Sequence, residues 1–189
     1  ETAWSPDGRR LAFFRKEGPG AELPESELFW GSLNIWEAEQ GAKAVAGILF
    51  NPWQSLDWLS DDRVLFISTR ISLPMTVAET NAPRLGIHAY DLVTKGISLV
   101  HEMPGGSLET IGQWLRLSPD RKQLLYCVPL TKEKLAQLRL YDVATGQNRL
   151  LLSSMADRYP FWVGSDRVGF FADPAHICLL YTSPSPRDS

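Results

Sequence analysis

The chain has 189 residues, 44% of them apolar and 22% charged, a balance that supports a packed core and excludes low-complexity disorder as its general state. Lys plus Arg number 19 against 22 acids, for a net charge of −3, and no basic run exceeds two residues, so the electrostatic footprint of a nucleic-acid binder is missing. No apolar run approaches the length of about 18 residues that a membrane-spanning helix needs, and the two cysteines, Cys127 and Cys178, have neither a disulfide framework nor zinc or redox spacing. The chain opens on Glu1 without a charged-then-apolar leader, so its location has to be read indirectly.

In chain order, the first element is WSPDGRRLAFF, from Trp4. Its Pro-Asp-Gly step presets φ, bonds the local backbone and tolerates positive φ, which predicts a hairpin turn over Pro6–Arg9 leading into a strand at Leu11–Phe14. LNIWEAEQG follows from Leu33, and then WLSDDRVLFIS from Trp58, with a turn expected at Ser60–Arg63. IHAYDLVTKG begins at Ile87, LSPDRKQLLYC at Leu117 with a turn at Pro119–Lys122, LRLYDVATG at Leu138, and WVGSDRVGFFA at Trp162 with a turn at Gly164–Arg167. The Trp58 and Trp162 segments align without a gap. In this register Trp4, Trp58, Leu117 and Trp162 are equivalent, as are Arg9, Arg63, Lys122 and Arg167, at spacings of 54, 59 and 45 residues.

The strands that follow each turn, such as Val64–Ile67 and Leu124–Val128, are apolar on both parities, as strands buried on both faces are. Each unit therefore reads as an up-down meander of four strands, and the repeat predicts an all-β fold, a partial β-propeller of about three and a half four-stranded antiparallel blades. Residues 1–177 form one propeller segment, with blades at about 1–50, 51–104, 105–156 and an incomplete one at 157–177. Open apolar faces at both ends predict that residues 1–177 alone aggregate or stay partly unfolded.

The WSPDG turn, the apolar strand after it and the aromatic-Asp-x-x-Thr-Gly hairpin resemble the TolB-like propeller repeat, also found in the N-terminal propellers of dipeptidyl peptidase IV and prolyl oligopeptidase relatives. The resemblance covers the first 177 residues and departs from the pattern at Leu117, Ser165 and Glu37. It implies a ring of about six to eight blades, a protein- or peptide-binding role and a periplasmic setting. Separately, Cys178–Ser189 reads CLLYTSPSPRDS and resembles the conceptual translation of a sequencing adapter found at the ends of genes predicted from environmental DNA. It is expected to be a non-native tail that packs little.

Within this sequence there is no G-x-S-x-G nucleophile elbow, His88, His101 and His176 have no zinc spacing, and Gly105-Gly106-Ser107 lacks the Lys of a phosphate loop. Neither a catalytic residue, a metal nor a cofactor is expected. Asp7, Asp61 and Asp120 are read as turn formers, the tryptophans as packing between blades, and Cys127 as a small buried hydrophobe.

Strand alternation puts the tight turns at one end and the long connections at the other: about Arg15–Ser32 and Arg70–Leu85, with Asn51–Gln54 and Pro104–Glu109 beside them. Long loops serve binding more often than structure, so Glu25, Glu27, Phe29, Trp30 and Trp53 are the candidate partner-binding residues. The competing account has the aromatics packing back on their own blade. Three functions fit: a non-catalytic binding scaffold, the gating propeller of a serine peptidase, and the sensor propeller of a regulator or kinase. Fold alone does not choose among them.

Overall fold

The computed structural model describes residues 2–17, 29–50, 55–68, 71–72, 85–103, 114–129, 136–155, 160–173 and 176–181. Their regular structure is entirely β. The first sheet holds β1 (Thr2–Trp4), β2 (Arg10–Lys16), β3 (Phe29–Glu37) and β4 (Gly41–Phe50) in that order, with β7 (Ile71–Ser72) added outside β4. The second holds β5 (Leu56–Ser60), β6 (Arg63–Ser68), β8 (Gly86–Asp91) and β9 (Gly96–Glu102). The third holds β10 (Leu115–Leu117), β11 (Gln123–Pro129), β12 (Ala136–Asp142) and β13 (Asn148–Met155), and the fourth β14 (Phe161–Val163), β15 (Arg167–Asp173) and β16 (His176–Tyr181). All paired strands are antiparallel, and the four hairpin turns fall where the sequence puts them.

Successive residues of each central strand feed two different cores. On β6, Val64 and Phe66 pack toward the first sheet while Leu65 and Ile67 pack toward the third. On β11, Leu124, Tyr126 and Val128 face the second sheet while Leu125 and Cys127 face the fourth. This is the period-2 alternation of a strand covered on both sides, and it explains why these runs read as continuously apolar. Cys127 is wholly buried and forms no disulfide, as its place in that run implies.

The turn chemistry is more specific than its Asp and Gly alone. Ser5 Oγ donates to Asp7 Oδ1 at 2.6 Å and accepts from the Arg10 amide at 2.9 Å, while the Arg9 amide donates to Asp7 Oδ1 at 3.0 Å. Ser118 and Asp120 repeat this arrangement, with bonds of 2.6 Å between the side chains, 3.0 Å from the Gln123 amide and 3.2 Å from the Lys122 amide. In both, the hydrogen bond from the serine, with the backbone amide beside it, lowers the carboxyl pKa below its ordinary 3.8. Gly8 (φ 69°) and Arg121 (φ 59°) take the left-handed position that closes the reversal.

That extra turn residue corrects the register. Trp4 pairs with Leu11 and Leu117 with Leu124, but Trp58 pairs with Val64 and Trp162 with Val168, one residue sooner. The strand equivalents are therefore Arg10, Arg63, Gln123 and Arg167, so Arg9 and Lys122 are turn residues. The position matters because it pairs across to the end of the third strand. Arg10 Nε binds Glu37 Oε1 at 2.6 Å, and Arg63 Nε lies 4.0 Å from Asp91 Oδ2. Glu37, which departs from the hairpin Asp of the repeat, is thus the partner of Arg10, whereas Asp91 and Asp142 accept from the hairpin amides of Thr94 and Thr145, each at 2.8 Å.

Neighbouring sheets are also keyed to one another by polar bonds. Trp58, wholly buried, donates its Nε1–H to the Ala3 carbonyl at 2.8 Å, and Trp162 donates to the Arg116 carbonyl at 3.2 Å. These acceptors occupy the same place, each one residue before the Trp position of its own sheet. Leu117 has no N–H to offer in its side chain, and the joint it belongs to is made another way. The Leu117 amide donates to Asp57 Oδ2 at 3.0 Å, the Leu115 amide to Ser55 Oγ at 2.6 Å, and the Arg121 guanidinium to the Trp58 carbonyl. Arg10 adds a clamp between the first two sheets through Asp62 Oδ1 and the Asp61 carbonyl, at 2.8 and 2.9 Å.

Two strands were not foreseen. β7 comes from the long connection of the second unit yet pairs with β4, Ile71 opposite Ile48 and Ser72 opposite Gly47. β16 runs into the segment expected to be a non-native tail and makes the fourth sheet three-stranded instead of a hairpin, pairing Cys178 with Phe170. Its backbone register supplies the pairing, and Leu179 is left 48% exposed.

Trp58→Phe keeps most of the ring contact but leaves the Ala3 carbonyl without its indole donor. It should lower the unfolding free energy by about 1 to 3 kcal/mol in chemical denaturation; an unchanged midpoint would contradict the keyed joint.

Candidate functional site

The candidate site lies at the end of the first two sheets away from the tight turns. There β2 stops at Lys16 and β3 begins at Phe29, with Lys16 opposite Gly31 and Phe29 opposite Phe50. The aromatic side chains that meet here are Phe14, Phe29 and Phe50. Phe14 stacks on Phe50 with ring centroids 5.2 Å apart, Phe29 tilts against Phe50 at 6.1 Å, and the Lys16 ammonium sits 4.4 Å from the Phe29 ring centre. Gly31 permits this closeness, since a Cβ there would collide with the Arg15 carbonyl and the Phe50 ring.

Of the predicted partner-binding residues, Phe29 and Trp30 are both half-buried and point to opposite faces of β3. Phe29 packs with the core between the first and second sheets, and Trp30 against the core between the second and third. Glu25, Glu27 and Trp53 lie outside the described residues. Sequence reasoning missed Phe14, Phe50 and Lys16; the available signal was their position at strand ends that flank a long connection.

The floor of the site is tied to the second sheet by main-chain carbonyls. Ser68 Oγ donates to the Leu49 carbonyl at 2.9 Å, and His88 Nε2 lies 3.2 Å from the Ser68 carbonyl oxygen. The His88 ring stacks on Phe66 with centroids 5.8 Å apart, and burial lowers its pKa below 6.5. A second histidine sits between the second and third sheets, where His101 Nε2 is 3.0 Å from the Tyr126 hydroxyl and 3.1 Å from Asn148 Nδ2. Burial, and then the Arg139 charge, lower its pKa, while burial pushes the Tyr126 hydroxyl up to about 12. Both histidines lie on strands and serve packing.

The recurring turn acids do not converge. Asp7 and Asp120 are consumed by their own serines, and Asp61 Oδ1 accepts the Asp7 amide at 3.0 Å. Among the described residues, no group of three His, Cys, Asp or Glu gathers to hold a metal.

No family model and no curated protein matches this sequence. Solved structures do. A prolyl endopeptidase matches over 99% of this chain and 28% of its own, at 15% identity and a TM-score of 0.55. The propeller domain of the Trilobed protease from Pyrococcus furiosus matches over 95% of this chain and 53% of its own, at 14% identity and a TM-score of 0.52. The fold is that of a β-propeller. An oligogalacturonate lyase solved in complex with manganese also matches, over 92% of this chain and 46% of its own, at 15% identity and a TM-score of 0.53. Each of these chains is longer, and this one spans between about a quarter and a half of them.

Both described histidine rings with lowered pKa values take up a proton less readily in the fold than in the unfolded chain, where the ordinary value is 6.5. Their stabilising effect is therefore complete above that value and is lost as the pH falls toward the depressed ones. Unfolding free energy should drop as the pH falls below about 6.5, and less so in the His88→Gln/His101→Gln variant. Identical pH profiles for the two proteins would contradict the assignment.

Proposed function

We propose that this chain is a non-catalytic propeller segment that binds a protein or peptide partner at the end carrying the connections 17–28 and 73–84. The observation that carries the reading is the pairing of β7 with β4. It sets Ile71 opposite Ile48, near the end of β4 that bears Phe50, where β3 begins with Phe29 and Trp30 on the neighbouring strand. Aromatic side chains half-exposed at such a junction are the residue types enriched at interaction hot spots. Glu17, Glu22, Glu25 and Glu27 belong to the first connection and its border, and their charge favours a cationic partner with salt-sensitive association. A TolB-like scaffold in the periplasm accords with the repeat.

A second reading has one observation behind it: a prolyl endopeptidase, the propeller domain of the Trilobed protease and, at a TM-score of 0.50, an acylaminoacyl peptidase are among the matches, and all three are peptidases. In that reading the segment gates a serine peptidase, and the site admits peptide substrate instead of holding a partner. The gene's continuation would then encode a nucleophile elbow.

An array of short peptides of varied charge, probed with the 189-residue protein, tests the binding reading. Cationic peptides should be retained, retention should fall with salt, and Glu25→Lys/Glu27→Lys should remove it without moving the melting temperature. Retention that ignores peptide charge, or that survives the double charge reversal, would count against the site.

A further inference from the structure

We propose that the cleft between the first and second sheets, at their tight-turn end, is a binding site for a small carboxylate with an apolar body. The inference stands apart from the binding reading, which uses the opposite end of these sheets. Four meander strands of each enclosing sheet are in place around it.

A cavity of about 590 Å³ opens there, a size that encloses a small molecule. Ile35, Val45 and Leu92 give it an apolar wall that continues the core between the two sheets. Arg10, Glu37 and Asp62 border it as well, but they already neutralise one another in the clamp between the sheets. Lys43 and Lys95 do not share in that clamp, and neither has an ion pair or hydrogen bond to a described residue. Lys43 stands opposite Ile35 on the neighbouring strand and so shares its face. The last polar group is Tyr90, which is only 5% exposed and yet lines the cavity. Its hydroxyl makes no hydrogen bond among the described residues, and burial, followed by the Asp91 charge, raises its pKa, so it stays a neutral donor. A largely buried donor without an acceptor is costly, and a ligand oxygen would satisfy it.

The hairpin that carries Lys95 is built against its own backbone preference. Asp91-Leu92-Val93-Thr94-Lys95 in the second sheet matches Asp142-Val143-Ala144-Thr145-Gly146 in the third and Glu37-Ala38-Glu39-Gln40-Gly41 in the first. Gly41 and Gly146 close their hairpins at φ 72°, and Lys95 takes the same left-handed position at 55°. Glycine adopts that conformation freely, whereas a residue with a Cβ does not. Strain of this kind persists where the side chain has a use. Here the side chain adds a second uncommitted positive charge to the cleft. Two ammonium groups and a neutral hydroxyl donor recognise a carboxylate, and the wall beside them takes its carbon body.

An amide-resolved nuclear magnetic resonance titration of the 189-residue protein tests this with phenylacetate, uncharged phenylacetamide and inorganic phosphate. Phenylacetate should shift the amides of Gly41–Val45 and Tyr90–Lys95 and reach saturation. Phenylacetamide and phosphate, each lacking one half of the recognised chemistry, should not. Tyr90→Phe, which removes only the unpaired hydroxyl, should weaken phenylacetate binding by about fivefold to tenfold and leave the melting temperature unchanged. Lys95→Gly should weaken binding by a similar factor while raising the melting temperature, because it removes the charge and the backbone strain together. Saturation by either control ligand, no saturation by phenylacetate, shifts centred on other sheets, either variant binding as the parent does, or a Lys95→Gly protein of lower stability would overturn the proposal.

Discussion

Burial of the second and third sheets, each between two others, is the constraint on which the rest of this structure depends. A central strand such as β6 has no solvent side: Val64 and Phe66 belong to one core and Leu65 and Ile67 to the next. Apolar burial is non-directional and would tolerate sliding of one sheet over another. The indole bond from Trp58 to the Ala3 carbonyl removes that freedom, because a displaced ring would leave a buried donor unpaired. Trp162 does the same for the last joint, and where Leu117 cannot, Asp57 and Ser55 supply acceptors from the opposite side. The joint is conserved in its effect while its chemistry changes.

The same constraint divides the molecule into two ends with different tasks. At the tight-turn end, serine, aspartate and arginine side chains are absorbed into turns and clamps, so charges that look available in the sequence are already engaged. Arg10 is the clearest case, since it holds Glu37, Asp62 and the Asp61 carbonyl together. At the opposite end, strands run out into long connections, and β7 shows one of them returning to the neighbouring sheet's edge. An edge covered in this way is protected from indiscriminate pairing while its loops stay free to vary.

How much of this was legible depended on whether the information was local. The Ser-Pro-Asp, Ser-Asp-Asp and Gly-Ser-Asp steps located the four hairpins, and the unbroken Trp58 and Trp162 match revealed the repeat. The assignment of Arg9 and Lys122 as strand equivalents failed because an ungapped count cannot register that the Ser-Pro-Asp turns hold one residue more than the Ser-Asp-Asp turn; the left-handed Gly8 and Arg121 take up the difference. The roles of Ser5 and Ser118 were local too but were obscured by the more familiar turn residues beside them. β7 and the Ser68, Leu49 and His88 contacts depend on partners about 20 residues or more away, which no pattern in the strand itself announces. At the candidate site the sequence named Phe29 and Trp30 but gave no sign that they lie half-buried on opposite faces of β3, because that depends on the sheets packed to either side.

The central claim is that partner contact falls at the loop end of the first two sheets and leaves the turn end untouched. Hydrogen exchange of the 189-residue protein, with and without a Lys- and Arg-rich peptide, reads this directly along the backbone. The account predicts slowed exchange confined to the amides around Phe29–Ser32, Leu49–Phe50 and Ile71–Ser72. Protection centred instead on the turns at Asp7, Asp61 and Asp120 would contradict it.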